Sequence, residues 1–369
     1  VRAFQKVTHV DPGFRVDNVL AFEADLDEHK YSKAEQCVAF YQNLLDQLRA
    51  VPGVVAAGGA TTPPLHGHWG QFFRAEGDPP RSPNEKSPVV LQVLVTPGYF
   101  DAIGMTVVAG RQFDDHDGTL KDHPVAMVSE AFARQHWPRA SAVGKHISYD
   151  YDNKGKWWEV VGVLRDEKHY GLDGEVRPAV YLPERQWPYP RTLMVVAHTA
   201  SNPEALIGPA RKILASIDPD LPLYNVHTMS ERLDRSLWAR RAYSWLFGVF
   251  SLVALVLAAA GIYGVISYAV SQRTHEIGIR MAVGATPREV LANVLRRGMV
   301  LVGAGTAIGL AVALAAAGLL QKLLFGVSPR DPLVYGAVVL AVVGVGLLAN
   351  AIPARRAASL DPVKALRTE

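Results

Sequence analysis

The stretch that decides the fold runs from Ser271 to Val290 and reads SQRTHEIGIRMAVGATPREV. On its N-terminal side lie 23 residues, Leu246–Tyr268, without a single charged side chain, and another long apolar run begins at Met299. A basic segment punctuated by glycines between two apolar runs is typical of a loop that joins two membrane-spanning helices. The stretch therefore predicts a turn at one face of a membrane.

Three uncharged segments are long enough to cross the hydrocarbon core of a membrane, which takes about 20 residues. One such segment could be a buried helix of a soluble protein, but three in the last third of the chain predict membrane helices. They are Leu246–Tyr268, Met299–Leu320 and Leu333–Ile352. Within the second segment, small residues recur one turn apart at Gly305, Gly309 and Ala313, which predicts close packing against another helix.

Basic residues predict the orientation of these spans, because loops rich in Lys and Arg stay in the cytoplasm. The link between the first two spans carries five arginines and the C-terminal tail carries four basic residues, whereas the opposite loop has only Lys322 and Arg330. The link and the C-terminus are therefore predicted to be cytoplasmic. The arginines just before the first span point the other way, but large folded domains cross the membrane largely regardless of their charge.

The 369 residues divide by composition into an ordinary soluble part, 1–242, and an apolar part, 243–369. A net charge of +3 without a basic cluster interleaved with aromatics does not indicate nucleic-acid binding. The only cysteine, Cys37, lies among apolar positions and is predicted to be a buried, inert thiol. Because the soluble part is placed outside the membrane and the chain opens at Val1 without a signal sequence, we expect a longer protein with a further span upstream.

Two segments of the soluble part share one pattern of strand, amphipathic helix, proline-containing turn and strand. The first begins at NVLAFEADL (18–26) and the second at TLMVVAHT (192–199). Together they predict a split βαβ sheet with its helices on one face. Residues 61–191 between them are rich in apolar strands such as SPVVLQVLVT, PVAMVSEAF and WWEVVGVLRD. The predicted fold class is thus an α+β extracytoplasmic domain, a split βαβ unit with an inserted β-rich lobe, followed by an α-helical transmembrane domain.

The sequence lacks the motifs of several catalytic and metal sites. It contains no GxxxxGK[ST] phosphate loop, no GxSxG, and THEIG is not a zinc-binding HExxH because Ile279 takes the second histidine's place. His66 and His68 in LHGHWG have no evident third ligand, and FDDHDG lacks the spacing of a calcium loop, so we expect a histidine-bearing loop and a solvated acidic turn. We predict no catalytic residue, no metal and no cofactor.

Several longer stretches resemble one family, the permease subunits of MacB/FtsX-type ABC transporters, over essentially the whole chain. The chain is most similar to the acidobacterial-type duplicated orphan permeases. The outer part carries the resemblance in VDPGFRVDNVL, VTPGYFDAIGMTVVAGRQF, VAMVSEAFARQHWPRASAVGKHI and VVGVLRDEKHYGLDGEVRPAVYLP. The apolar part carries it in GIYGVISYAVSQRTHEIGIRMAVGATPREV and IPARRAASLDPVKALR. The family's first span, and in many members its ATPase or a first permease half, are not among these 369 residues and are expected upstream of Val1.

The resemblance implies a MacB-like periplasmic core domain over 1–242 and an FtsX-like permease domain over 243–369, with residues 271–297 as the segment that couples to a cytoplasmic ABC ATPase. The residues of this segment agree. Glu276 and Arg280 are spaced i, i+4 on a short helix that ends at Gly284, and TPRE (286–289) begins the next helix with a capping box. The residues expected to make the contact are Glu276, Ile277, Gly278, Arg280, Gly284 and Ala285.

The family also implies an inner-membrane permease, without catalytic activity of its own, that transmits movement to the periplasm for export. Its implied partners are the ATPase, a second permease as a homo- or heterodimer, the lipid bilayer, and a periplasmic adaptor with an outer-membrane channel. An alternative from another class is a membrane-bound regulator that activates a periplasmic enzyme such as a cell-wall hydrolase. A neighbouring adaptor gene would favour transport, and a neighbouring hydrolase gene would favour regulation.

Overall fold

The computed structural model describes residues 11–79, 89–114, 117, 123–149, 156–172, 174–187, 191–320 and 332–359. The chain divides between Ala239 and Arg240 into two compact units. We call them the sheet unit and the helical unit. Four basic residues that entered the orientation argument lie outside the described residues: Lys322, Arg330, Lys364 and Arg367.

The sheet unit is built on one mixed sheet, which has twelve strands in the described residues. The strands are β1 Val19–Asp25, β2 Val54–Ala60, β3 Gly70–Gln71, β4 Phe73–Ala75, β5 Val90–Val95, β6 Val107–Gly110, β7 Val125–Ser129, β8 His146–Tyr149, β9 Trp157–Leu164, β10 Ala179–Pro183, β11 Thr192–Thr199 and β12 Tyr224–Thr228. Its α-helices are α1 Ala34–Arg49, α2 Tyr99–Ile103, α3 Glu130–His136, α4 Ile207–Ile217 and α5 Met229–Ser236.

The predicted split βαβ unit is confirmed. Its strands lie in the order β12–β1–β11–β2, with β1 and β11 antiparallel from Val19 opposite His198 to Asp25 opposite Thr192. One face of these strands packs against both α1 and α4, where Phe22 and Leu44 belong to a single buried cluster. The opposite face is covered by α2. This architecture follows from the sequence pattern, since alternate residues of each strand point to opposite faces.

The inserted segment continues the same sheet beyond β2 instead of forming a separate body. The connection is the pairing of Ala60 in β2 with Val95 in β5. The order then runs β5–β10–β7–β9–β8–β4, with β5 parallel to β10 and β7 parallel to β9. The three predicted apolar strands are confirmed as β5, β7 and β9. Strand β7 ends at Ser129, before the end of the segment PVAMVSEAF, because helix α3 begins there. The Ser129 hydroxyl caps α3 by accepting a hydrogen bond from the Phe132 N–H at 3.2 Å.

The helical unit consists of four helices in the described residues: α6 Trp238–Gln272, α7 Thr274–Ala282, α8 Pro287–Leu320 and α9 Pro332–Ala358. By length and composition, α6, α8 and α9 can each cross a membrane, with mean hydropathies of 2.5, 2.2 and 2.3 in their apolar stretches. Only 6% of each stretch is buried within the protein, so most of its apolar side chains face outward. The prediction of three membrane-length apolar helices is confirmed.

The contact between α8 and α9 uses two glycines that the small-residue stripe did not include. A Cβ at Gly346 would lie 2.8 Å from the Val302 side chain, and one at Gly298 would overlap the side chain of Asn350. A Cβ at Gly305 or Gly309, in contrast, would meet no described atom within 4 Å. All three residues of the predicted stripe are exposed in the structure, and the packing of the stripe against another helix stays a prediction.

Candidate functional site

The link, residues 271–297, contains the end of α6, the short helix α7 that its sequence predicts, and the first turns of α8. Helix α7 covers Thr274–Ala282, and its exposed face carries the expected ion pair, with Arg280 Nη2 2.6 Å from Glu276 Oε1. An exposed i, i+4 pair of this kind stabilises a helix by only about 0.3–0.5 kcal/mol. The pair thus orients two charged side chains on the surface more than it holds the unit together.

A glycine ends α7 by adopting a backbone conformation that other residues avoid. Gly284 has a φ of +108°, and its N–H donates to the Met281 carbonyl at 3.2 Å. The N–H of Ala285 donates to the Arg280 carbonyl at 2.9 Å. Together these two bonds form the Schellman motif that satisfies the last carbonyls of a helix. Because no described atom lies within 4 Å of an added Cβ, the positive φ is what requires glycine here.

The next helix starts two residues later with the predicted capping box. The Thr286 hydroxyl accepts a hydrogen bond from the Glu289 N–H at 3.4 Å, and the Glu289 carboxylate accepts one from the Thr286 N–H at 2.9 Å. Pro287 occupies the first position of α8, where its missing N–H costs nothing. Since α8 runs unbroken to Leu320, the turn is joined directly to an apolar helix of membrane length.

The two faces of the link differ in exposure. Gly278 is buried and Ile277 and Ala285 are half-buried, so these three predicted contact residues lie toward the other helices. The outward face instead presents Ile279, 45% exposed, and Val283, 84% exposed. Sequence reasoning missed these two side chains as candidate contacts. The only sequence signal for them was that they are large apolar residues close to the charged Glu276 and Arg280.

The histidine loop of the sheet unit forms a polar contact with a carboxylate and a guanidinium. The Nε2 of His66 lies 3.0 Å from Glu23 Oε1, and Arg232 donates to its Nδ1 at 3.1 Å. Because a guanidinium can only donate, Nδ1 accepts and the ring is neutral, with its proton on Nε2. Burial first, and then the charge of Arg232, lower the pKa of His66. His68 packs against the Tyr170 ring, and within the described ranges no three His, Cys, Asp or Glu side chains are placed to hold a metal.

Two other sequence expectations in the sheet unit have different outcomes. Cys37 is fully buried as expected, and burial raises the pKa of its thiol. The acidic turn, however, was expected to be solvated, whereas Asp117 is 4% exposed. Arg111 forms a two-pronged contact with its carboxylate at 2.6 and 2.7 Å, which neutralises the buried charge.

Comparison with known proteins identifies both parts of the chain. The family model of the MacB-like periplasmic core domain matches residues 12–213. The family model of the FtsX-like permease C-terminal domain matches residues 248–362. The ABC transporter permease YvrN of Bacillus subtilis is 27% identical over 73% of this chain and 68% of its own length. The pyoverdine export ATP-binding/permease protein PvdT of Pseudomonas entomophila is 35% identical over 35% of this chain.

The matched part is a minor share of the longer relative, since it spans 20% of PvdT. Among solved structures, the periplasmic region of MacB from Actinobacillus actinomycetemcomitans aligns with 63% of this chain and 98% of its own, at 12% identity and a TM-score of 0.40.

Proposed function

Because the chain belongs to the family of MacB/FtsX-type ABC transporter permeases, we propose that it couples ATP hydrolysis by a separate cytoplasmic ATPase to movement of its sheet unit. The observation that carries this proposal is the helix–turn–helix of the link. A turn held by a Schellman motif and a capping box is stiff, and it continues without a break into α8. A push on α7 can thus be passed into a membrane helix.

The contact surface that we propose for the ATPase is the outward side of the link. It combines the exposed apolar side chains of Ile279 and Val283 with the charged pair Glu276–Arg280. Exposed apolar groups rimmed by charges are typical of protein interaction sites. In this proposal Gly278, Ile277 and Ala285 support the helix from its inner side, and Gly284 sets the direction in which α7 ends.

The role proposed for the whole protein is export across the inner membrane. In this proposal the link and the C-terminus lie on the cytoplasmic side. The related PvdT carries pyoverdine export in its name, which favours transport over activation of a periplasmic enzyme. The charge-free spans favour transmitted movement over a wide polar channel. A second permease subunit, a periplasmic adaptor and an outer-membrane channel complete the proposed assembly.

The proposal is tested by co-purification of the protein with the ABC ATPase encoded beside its gene, and by the ATPase rate of the pair. The protein by itself should hydrolyse no ATP. Gly284→Val should strain the turn by roughly 1–3 kcal/mol and abolish both binding and stimulation. The matched control is Gly144→Val in the sheet unit, which imposes the same kind of strain at a φ of +84° with open space around it. That variant should bind and stimulate normally.

Further variants separate the charge of the contact from its apolar part. Glu276→Lys should abolish binding of the ATPase. The double variant Glu276→Arg with Arg280→Glu keeps an ion pair on the helix with its charges exchanged, and it should still fail to bind the ATPase. Val283→Asp should also prevent binding, whereas Val55→Asp, at a valine 61% exposed in the sheet unit, should not. If Gly284→Val, Glu276→Lys and Val283→Asp all bind like the wild type, the link is only a loop and the proposal is wrong.

A further inference from the structure

A groove of about 220 Å³ lies within the helical unit where α6, α7 and the start of α8 meet. Its apolar wall includes Ile266 and Ala269 from the end of α6 and Leu301 from α8. These residues belong to, or directly adjoin, the uncharged runs of membrane length. The inner face of α7 closes the groove at its other end. The groove therefore begins in the apolar zone and ends at the polar link.

The polar end of the groove is positively charged. Arg273, Arg280 and Arg297 line it together with one carboxylate, Glu276, which leaves a formal excess of two positive charges. All three arginine side chains are exposed, so their guanidinium groups can reach a ligand at the membrane surface. Guanidinium groups match phosphate oxygens in geometry as well as in charge.

We propose that this groove binds an anionic phospholipid, with an acyl chain along the apolar wall and the phosphate against the arginines. A phospholipid suits both ends, because it has an apolar chain and an anionic phosphate. An inorganic phosphate or nucleotide would leave the apolar wall uncovered, and a neutral lipid would not use the excess charge. Basic pockets between membrane helices commonly bind the headgroups of anionic lipids.

The same short helix would then have two roles on two faces. Ile277 of α7 and Arg273 just before it line the lipid groove, whereas the exposed Ile279 and Val283 lie outside its lining. The Glu276–Arg280 pair lies at the border and takes part in both surfaces. A lipid seated in the groove would brace α7 against α6 and α8. The inference depends on the membrane location of these helices and not on the ATPase contact proposed above.

Native mass spectrometry of the detergent-solubilised protein tests this inference in the absence of any ATPase. Phosphatidylglycerol and phosphatidylcholine with identical acyl chains are added in turn, and the protein should retain phosphatidylglycerol selectively. Removing two groove charges with Arg273→Gln and Arg297→Gln should weaken its retention about 25-fold, since each arginine near an anionic lipid contributes about fivefold. Ala269→Trp, which fills the apolar wall and keeps every charge, should weaken it as well.

The matched control removes the same charge elsewhere in the link. Arg288→Gln with Arg296→Gln lies outside the groove lining and should leave phosphatidylglycerol retention unchanged. Equal retention of the two lipids, or an equal effect of the two arginine pairs, would overturn the proposal in favour of diffuse charge attraction. If the groove variants lose the ATPase but keep phosphatidylglycerol, the groove is a protein contact and the lipid site is wrong.

Discussion

At the scale of single residues, Glu184 shows how burial alters a charge. It lies in the 3₁₀ turn Glu184–Gln186 after β10 and is 1% exposed. Its Oε2 has no hydrogen-bond partner among the described residues, and Arg185 Nε is 3.8 Å from Oε1. Burial is the main reason why the pKa of this carboxyl is raised from 4.5 to about 7.

We predict that Glu184 makes the sheet unit less stable as the pH rises. The folded protein binds this proton more tightly than the unfolded chain, so the free energy of unfolding should fall between pH 4.5 and about pH 7. Glu184→Gln removes this titration and should raise the free energy of unfolding at pH 8 by about 2–3 kcal/mol. Chemical unfolding across this pH range measures it, with exposed Glu175→Gln as the control. Parallel pH profiles for the wild type and Glu184→Gln would contradict the prediction.

At the scale of elements, the packing of α8 on α9 depends on Gly298 and Gly346. We predict that Gly346→Leu lowers the Tm of the helical unit, because its side chain would collide with Val302 in a close helix contact. Overpacking of this kind costs about 1–3 kcal/mol. Circular dichroism in detergent measures the effect. An unchanged Tm for Gly346→Leu would rule out this contact.

The matched element-scale comparison is Gly305→Leu on α8, the helix that α9 packs against. Its side chain would project into space that no described atom occupies, so the Tm should stay that of the wild type when the protein is a monomer. A loss of stability only under conditions where the protein self-associates would place the stripe of Gly305, Gly309 and Ala313 at a contact between chains, as the sequence predicts.

At the scale of the whole molecule, the orientation in the membrane can be measured directly. We predict that a reporter active only in the cytoplasm works when fused after Glu369 and fails when inserted at Asp152. The physical reason is the excess of arginines in the link over the opposite loop, since basic loops remain on the cytoplasmic side. The reverse pattern would contradict both the orientation and the proposed ATPase contact.

Sequence alone was sufficient for the features that depend on local pattern. The three apolar helices, the paired βαβ segments, the Gly284 helix end and the Thr286–Glu289 capping box are all visible in short stretches of residues. Each is dictated by near neighbours in the chain, through periodicity, side-chain length or the freedom of glycine at positive φ. The resemblance that identifies the family rests on the same local stretches.

Only the tertiary structure decided which surfaces meet. It joined the inserted segment to the main sheet through Ala60 and Val95, and it placed Gly298 and Gly346, not Gly305, between α8 and α9. It also buried Asp117 against Arg111 and turned Val283 outward. These outcomes depend on contacts between residues far apart in the chain, where many pairings satisfy the same local pattern and only the complete packing selects one.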